Sequence, residues 1–180
     1  MRPLPFNRCY WVVPGLLMAG CYPGSKNEAV ARSRLNNLLN HGIRHVVNLM
    51  EPDEQDHAGQ PFAPYESLFS SLAESEGVEV TFSRMPIKDL SAPGADQMVA
   101  ILDTIDQHVD TGKPVYVHCF GGRGRTGTVI GCYLARHGHA VGKRVLWTIQ
   151  KLRKNVFDFN LASPETLRQI ELVVSWGKNA

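Results

Sequence analysis

Apolar positions along this chain switch between strand-like runs and helix-like spacing, and the switches predict its elements. Two short apolar runs at 9–13 and 16–20, "CYWVV" and "LLMAG", flank a Pro-Gly turn and read as strands. Ser25 then caps a helix running to about His41, stopped by Gly42. "IRHVVNLM" (43–50) is a β-branched run with the look of a buried strand. The acidic stretch 51–64 reads as a loop, 64–76 as a helix ended by Gly77, and "VEVTFSRMPI" (78–87) as a strand. Pro86 puts that strand's end, or a sheet edge, nearby. Met98, Ile101, Leu102, Ile105 and Val109 recur at helical spacing and predict a helix over 95–110. Beyond it come a strand "PVYVHC", a loop "FGGRG" and a helix "RTGTVIGCYLAR". Two further helices are expected near 141–154 and 163–176, the second with Ser163 as cap and Pro164 in its first position. Strands separated by helices, followed by helices alone, predict an α/β fold whose central, mainly parallel sheet is flanked by helices.

Composition narrows the class without naming a partner. At 180 residues, with 43% hydrophobic and 20% charged, the chain suits a single domain spanning 1–180 with an ordinary core. A formal net charge of +2 gives no global argument for nucleic acid or membrane, and no apolar run is long enough to span a bilayer. Cys9, Cys21, Cys119 and Cys132 are scattered, which suits reduced cytoplasmic thiols, and the histidines show no metal spacing. No metal or cofactor is expected. "GLLMAGC" ending at Cys21 is similar to a bacterial lipoprotein cleavage box, a minor alternative of export through Cys21; Pro14, Gly15 and Met18 interrupt that pattern.

Chemistry concentrates in "VHCFGGRGRTG". A strand, a glycine-rich loop and a helix N-terminus together present inward backbone N–H groups and a partial positive charge, the makings of an anion cradle. Phe120, Gly121, Gly122, Arg123, Gly124 and Arg125 would surround the anion, Arg125 forking two N–H donors onto it. A cysteine in such surroundings titrates below the ordinary thiol value of about 8.5. Cys119 is thus the candidate nucleophile toward a phosphorus centre, and the Thr126 hydroxyl can donate to its sulfur when that sulfur leaves.

These residues resemble the His-Cys-x-x-Gly-x-x-Arg-Ser/Thr-Gly signature of protein tyrosine and dual-specificity phosphatases, with every fixed position filled. The resemblance implies a phosphocysteine intermediate and a general-acid aspartate roughly thirty residues upstream. Asp89 stands thirty residues before Cys119, in "MPIKDLSAPG", where the context resembles the acid loop of kinase-associated phosphatase and other small atypical dual-specificity enzymes. Asp53 and Asp96 are weaker competitors; Pro93 and Gly94 are hinge candidates. His118 is expected to hydrogen-bond the loop. In "ETLRQ" (165–169), Glu165 departs from the family's first glutamine while Gln169 fits the second, so water is positioned by Gln169 or activated by Asp89 alone.

The substrate stays open at this level. Arg123 is like the basic residue with which related lipid phosphatases meet a second phosphate, whereas Phe120 stands where those enzymes carry a base. The expected partner is a phosphorylated protein, phosphotyrosine first and phosphoserine or phosphothreonine next, with phosphoinositides, phospholipids and inositol phosphates as the alternative. Lys143, Arg144, Lys151 and Lys154 share an arc of about 100° on the helix near 141–154, read as a solvated face or a docking site for an acidic partner. A sulfurtransferase, an arsenate reductase and a non-catalytic phospho-binding module are the rivals; Asp89 at acid-loop spacing argues against the first two.

Overall fold

A computed structural model describes residues 4–177. A hairpin of β1 (Cys9–Val13) and β2 (Leu17–Cys21) leads into α1 (Glu28–Asn40), β3 (His45–Asn48), α2 (Glu66–Ser75) and β4 (Thr81–Arg84). Then follow α3 (Ala95–Asp110), β5 (Val115–Cys119), α4 (Arg125–Arg136), α5 (Arg144–Leu152) and α6 (Leu167–Ser175). The strands form one sheet in the order β1-β2-β5-β3-β4. Only β1 runs antiparallel; β2, β5, β3 and β4 are mutually parallel, and β4 takes the edge that Pro86 led one to expect.

Both faces of the sheet are covered, which is why β2, β3 and β5 read as unbroken buried runs rather than alternating ones. α1 and α2 pack Leu35, Leu38, Phe69 and Leu72 on one face against Met18, Val46 and Tyr116. The other face meets Met98, Ile101 and Ile105 of α3, Val129 and Ile130 of α4, Ile149 of α5 and Val173 of α6. Each such side chain contributes about 1.5–3 kcal/mol on burial, enough to fix strand order and register.

Three expected boundaries shift for local reasons. Asn27 caps α1 through its side chain, while Ser25 accepts a bond from Asn27 N–H one step earlier. α5 starts at Arg144 because Gly142 takes φ +60 and breaks the helix there. α6 starts at Leu167, where Thr166 and Gln169 form a reciprocal capping box; Ser163 instead donates to the Arg123 carbonyl (2.8 Å). The segment 15–21 forms the turn and β2, a central strand, with Cys21 buried beside β5. Because four strands are parallel, the loops leaving β3, β4 and β5 emerge at one edge of the sheet.

Candidate active site

Five residues separate the last residue of β5, Cys119, from the first residue of α4, Arg125. The loop crosses so closely over β2 that a Cβ at Gly122 would lie 2.4 Å from the Gly20 carbonyl carbon, and Gly122 also takes φ +73. Only glycine fits that position. Among the described residues, the N–H groups of Phe120 through Gly124 meet no protein acceptor, so they are available to an anion at the α4 N-terminus. Cys119 lies buried at the base of this loop.

Arg125 turns from the first residue of α4 into the same space and is 1% exposed. Glu54, from the loop after β3, grips both of its terminal nitrogens, Nη1 at 2.6 Å and Nη2 at 2.7 Å. Nη1 also donates to the carbonyls of Ile87 (3.1 Å) and Leu49 (3.5 Å). Burial opposes the guanidinium charge, but the Glu54 bond and the neighbouring Cys119, Glu54 and Asp89 outweigh it and hold Arg125 above the ordinary arginine value. Its Nε is buried without a protein partner, a donor left over on the side of the guanidinium that Glu54 does not grip.

Asp89 comes from the loop after β4 and meets Arg125 Nη2 at 3.0 Å. Its loop is a tight turn closed by Ser91 N–H to Lys88 O (3.0 Å), with Leu90 at φ +59, the only non-glycine residue in that region among those described. Gln169 braces the turn: its Nε2 donates to Ser91 O (3.0 Å) while its Oε1 accepts the N–H groups of Glu165 and Thr166. Oε1 is thus fully engaged, and one N–H of Nε2 ties Gln169 to the Asp89 loop. Gly94, a hinge candidate, is the cap residue of α3.

His118 sits wholly buried beneath Cys119, its Nδ1 3.3 Å from the Cys119 carbonyl and its Nε2 2.6 Å from the Tyr65 hydroxyl. The carbonyl can only accept, so Nδ1 carries the proton and Tyr65 donates to Nε2. Burial pushes His118 down to about 3, with Arg84 and Arg125 adding to the effect. The Thr126 hydroxyl contacts the Gly20 carbonyl at 3.4 Å instead of the Cys119 sulfur. Cys21 stands level with Cys119 on the adjacent strand, and burial pushes its thiol up to about 11. Cys132, inside α4, is pushed up to about 12 by burial alone.

Asp89, Cys119 and Arg125 line a cleft of about 490 Å³, with His57, Phe120, Arg123 and Glu165 among its other walls. Arg123 is ion-paired with Glu165 at its margin. Asp89, Cys119, Arg123 and Arg125 therefore meet at one cleft, whereas Asp96 lies in the first turn of α3 and Asp53 is not among the residues lining it. Sequence reading missed Glu54 and His57, both in a loop read only as acidic and polar.

The family model for the Swiss Army Knife protein DSP-PTPase phosphatase domain, PTP-SAK, matches residues 6–158. The chain belongs to this family. Glu54, Asp89, Cys119 and Arg125 of the DSP-PTPase domain fall inside the match; Glu165 and Gln169 fall outside it. The mouse protein tyrosine phosphatase domain-containing protein 1 is 34% identical over 129 residues, covering 69% of this chain and 16% of that protein. An Arabidopsis thaliana phosphatidylglycerophosphate phosphatase, PTPMT2, is 39% identical over 75 residues, covering 41% of this chain and 32% of that one. The chain spans about a third or less of the length of these two relatives. The crystal structure of kinase associated phosphatase carrying serine for its catalytic-site cysteine superposes with a TM-score of 0.65 at 17% identity, covering 96% of this chain and 93% of that one. The DSP-PTPase domain here therefore has the dual-specificity phosphatase fold.

Proposed function

We propose that the protein is a cysteine-dependent phosphomonoester hydrolase. One observation carries the reading: buried Arg125 is locked by Glu54 on one edge and leaves Nε unpartnered, in the cleft that also holds Cys119 and Asp89. The phosphoryl group sits among the N–H groups of Phe120 to Arg125 and the unpartnered Nε–H of Arg125. Cys119 Sγ attacks phosphorus in line, forming an S–P bond as the P–O bond to the leaving group breaks. Asp89 gives its proton to the departing oxygen. Water then attacks phosphorus, its proton passes to Asp89, and the S–P bond breaks to release phosphate and Cys119. His118, neutral and pinned to Tyr65, orients the Cys119 backbone and takes no part in proton transfer.

Phosphotyrosine, then phosphoserine or phosphothreonine, in a protein is the first substrate class, in line with the tyrosine-phosphatase-domain relative. A phospholipid or inositol phosphate monoester is the second, favoured by Arg123 at the cleft margin and by the likeness to a phosphatidylglycerophosphate phosphatase. A cytoplasmic setting suits either; among the described residues no helix is long and apolar enough to cross a membrane. The test is hydrolysis of p-nitrophenyl phosphate by the native chain and by Cys119→Ser and Arg125→Lys, followed by a panel of phosphopeptides and phosphoinositides. Native turnover that both substitutions abolish is expected; full turnover by Cys119→Ser sinks the mechanism.

A further inference from the structure

Between residues 141 and 157 the chain carries Lys143, Arg144, Lys151, Arg153 and Lys154 and no acidic residue. Arg153 turns inward, buried against Asp158 at 2.7 Å. The other four are exposed, and none pairs with a carboxylate among the described residues. At about 100° per residue, Lys143, Trp147, Lys151 and Lys154 fall on one face of α5 and its flanking residues, opposite buried Val145 and Ile149. Trp147 is 62% exposed, with Lys151 Nζ 3.5 Å from the centre of its ring.

The loop leaving α5 exposes further large apolar side chains, Phe157, 69% exposed, Phe159, 53% exposed, and Leu161. Their backbone is fixed: Phe157 N–H donates to Asn7 O (2.8 Å), Phe159 O accepts from Gln150, and Leu161 O accepts from buried Arg153 (2.9 Å). Large apolar side chains are therefore held in water by an ordered frame. Phe157 and Leu161, with Leu90 and Arg8, also form the rim of the cleft over Cys119.

We propose that this basic, aromatic face docks on an anionic lipid bilayer and brings the cleft against a headgroup phosphomonoester. Lysines flanking exposed tryptophan and phenylalanine suit the bilayer interface, where the rings enter the acyl boundary and the ammonium groups meet lipid phosphates. An acidic protein segment would satisfy the cations but leave Trp147, Phe157 and Phe159 in water. The substrate half of the proposal rests on the phosphatase reading; the docking half does not.

The experiment is co-sedimentation of the full chain with phosphatidylcholine vesicles, with and without phosphatidylglycerol, together with quenching of tryptophan emission by brominated acyl chains. Binding to the anionic vesicles alone is expected, weakened by salt, with quenching that disappears in Trp147→Phe. Trp147→Ser/Phe159→Ser and Lys151→Glu/Lys154→Glu are each expected to lose at least tenfold in vesicle binding while keeping p-nitrophenyl phosphate hydrolysis within about twofold. Absence of vesicle binding overturns the proposal. So does binding to polyglutamate as tight as to vesicles and indifferent to Trp147→Ser, which assigns the face to an acidic protein. Vesicle binding by a native chain that hydrolyses no phosphomonoester leaves docking standing and removes the phosphatase reading instead.

Discussion

Glu54 holds both terminal nitrogens of Arg125, at 2.6 and 2.7 Å, across seventy-one residues of sequence. That grip sets which edge of the guanidinium is free. Glu54→Gln keeps the shape but donates where the guanidinium needs an acceptor, leaving a buried charge without its partner. We expect kcat to fall about 10²–10³-fold, comparable to the loss of one oxyanion donor, and stability to drop by about 3 kcal/mol. Steady-state kinetics and urea unfolding check the two effects separately.

Asp89 touches Arg125 yet is 58% exposed, as suits a group that must meet a leaving oxygen from solvent. Asp89→Asn should lower kcat about 10²–10⁴-fold for substrates with poor leaving groups and much less for activated aryl phosphates. A series of aryl phosphates of rising leaving-group basicity measures this. An equal loss across the series would assign the acid role elsewhere.

The two loop glycines differ in what they tolerate. A Cβ at Gly121 meets nothing within 4 Å, whereas at Gly122 it would sit 2.4 Å from the Gly20 backbone at φ +73. Gly121→Ala is expected to fold with a stability change within about 0.5 kcal/mol, Gly122→Ala to lose at least about 2 kcal/mol and most of its turnover. Thermal melts of the pair are the comparison.

Acid should weaken the fold through two buried imidazoles. Burial lowers His118 from 6.5 to about 3, and burial with His108 and Lys113 nearby lowers His45 from 6.5 to about 4. Below about pH 6.5 the unfolded chain binds protons that the folded state excludes, so stability is complete above that pH and falls as pH drops toward 3–4. His118 alone accounts for on the order of 5 kcal/mol across the window. Urea unfolding at pH 7 and pH 5 should show the loss, and His118→Gln should show a shallower pH dependence.

Legibility in the sequence followed locality. The Cys119 loop was readable because its chemistry occupies contiguous residues, and α3 because five apolar positions repeat with helical period over 95–110. Asp89 was reached through the resemblance, which implies an acid about thirty residues before Cys119, and the fold brings it to Arg125. Glu54 and the Cys21–Cys119 pairing were not found, since each depends on β5 lying between β2 and β3, a neighbour relation that no local pattern encodes. The Thr166–Gln169 capping box was written in the sequence as a Thr-x-x-Gln spacing, but Ser163-Pro164 offered an equally good helix start. Only the fold shows that Ser163 is tied to the Arg123 carbonyl and so cannot serve.

The central claim is that Cys119 carries the phosphoryl group between two steps. Acid quench of the native enzyme during turnover of a phosphomonoester, followed by proteolysis and mass spectrometry, tests it directly. The account predicts a peptide containing Cys119 heavier by one phosphoryl group, more abundant in Asp89→Asn when the substrate is an activated aryl phosphate, whose leaving group needs no acid while hydrolysis of the intermediate is slowed. Turnover with that peptide unmodified at every quench time, or with the phosphoryl group on another residue, contradicts it.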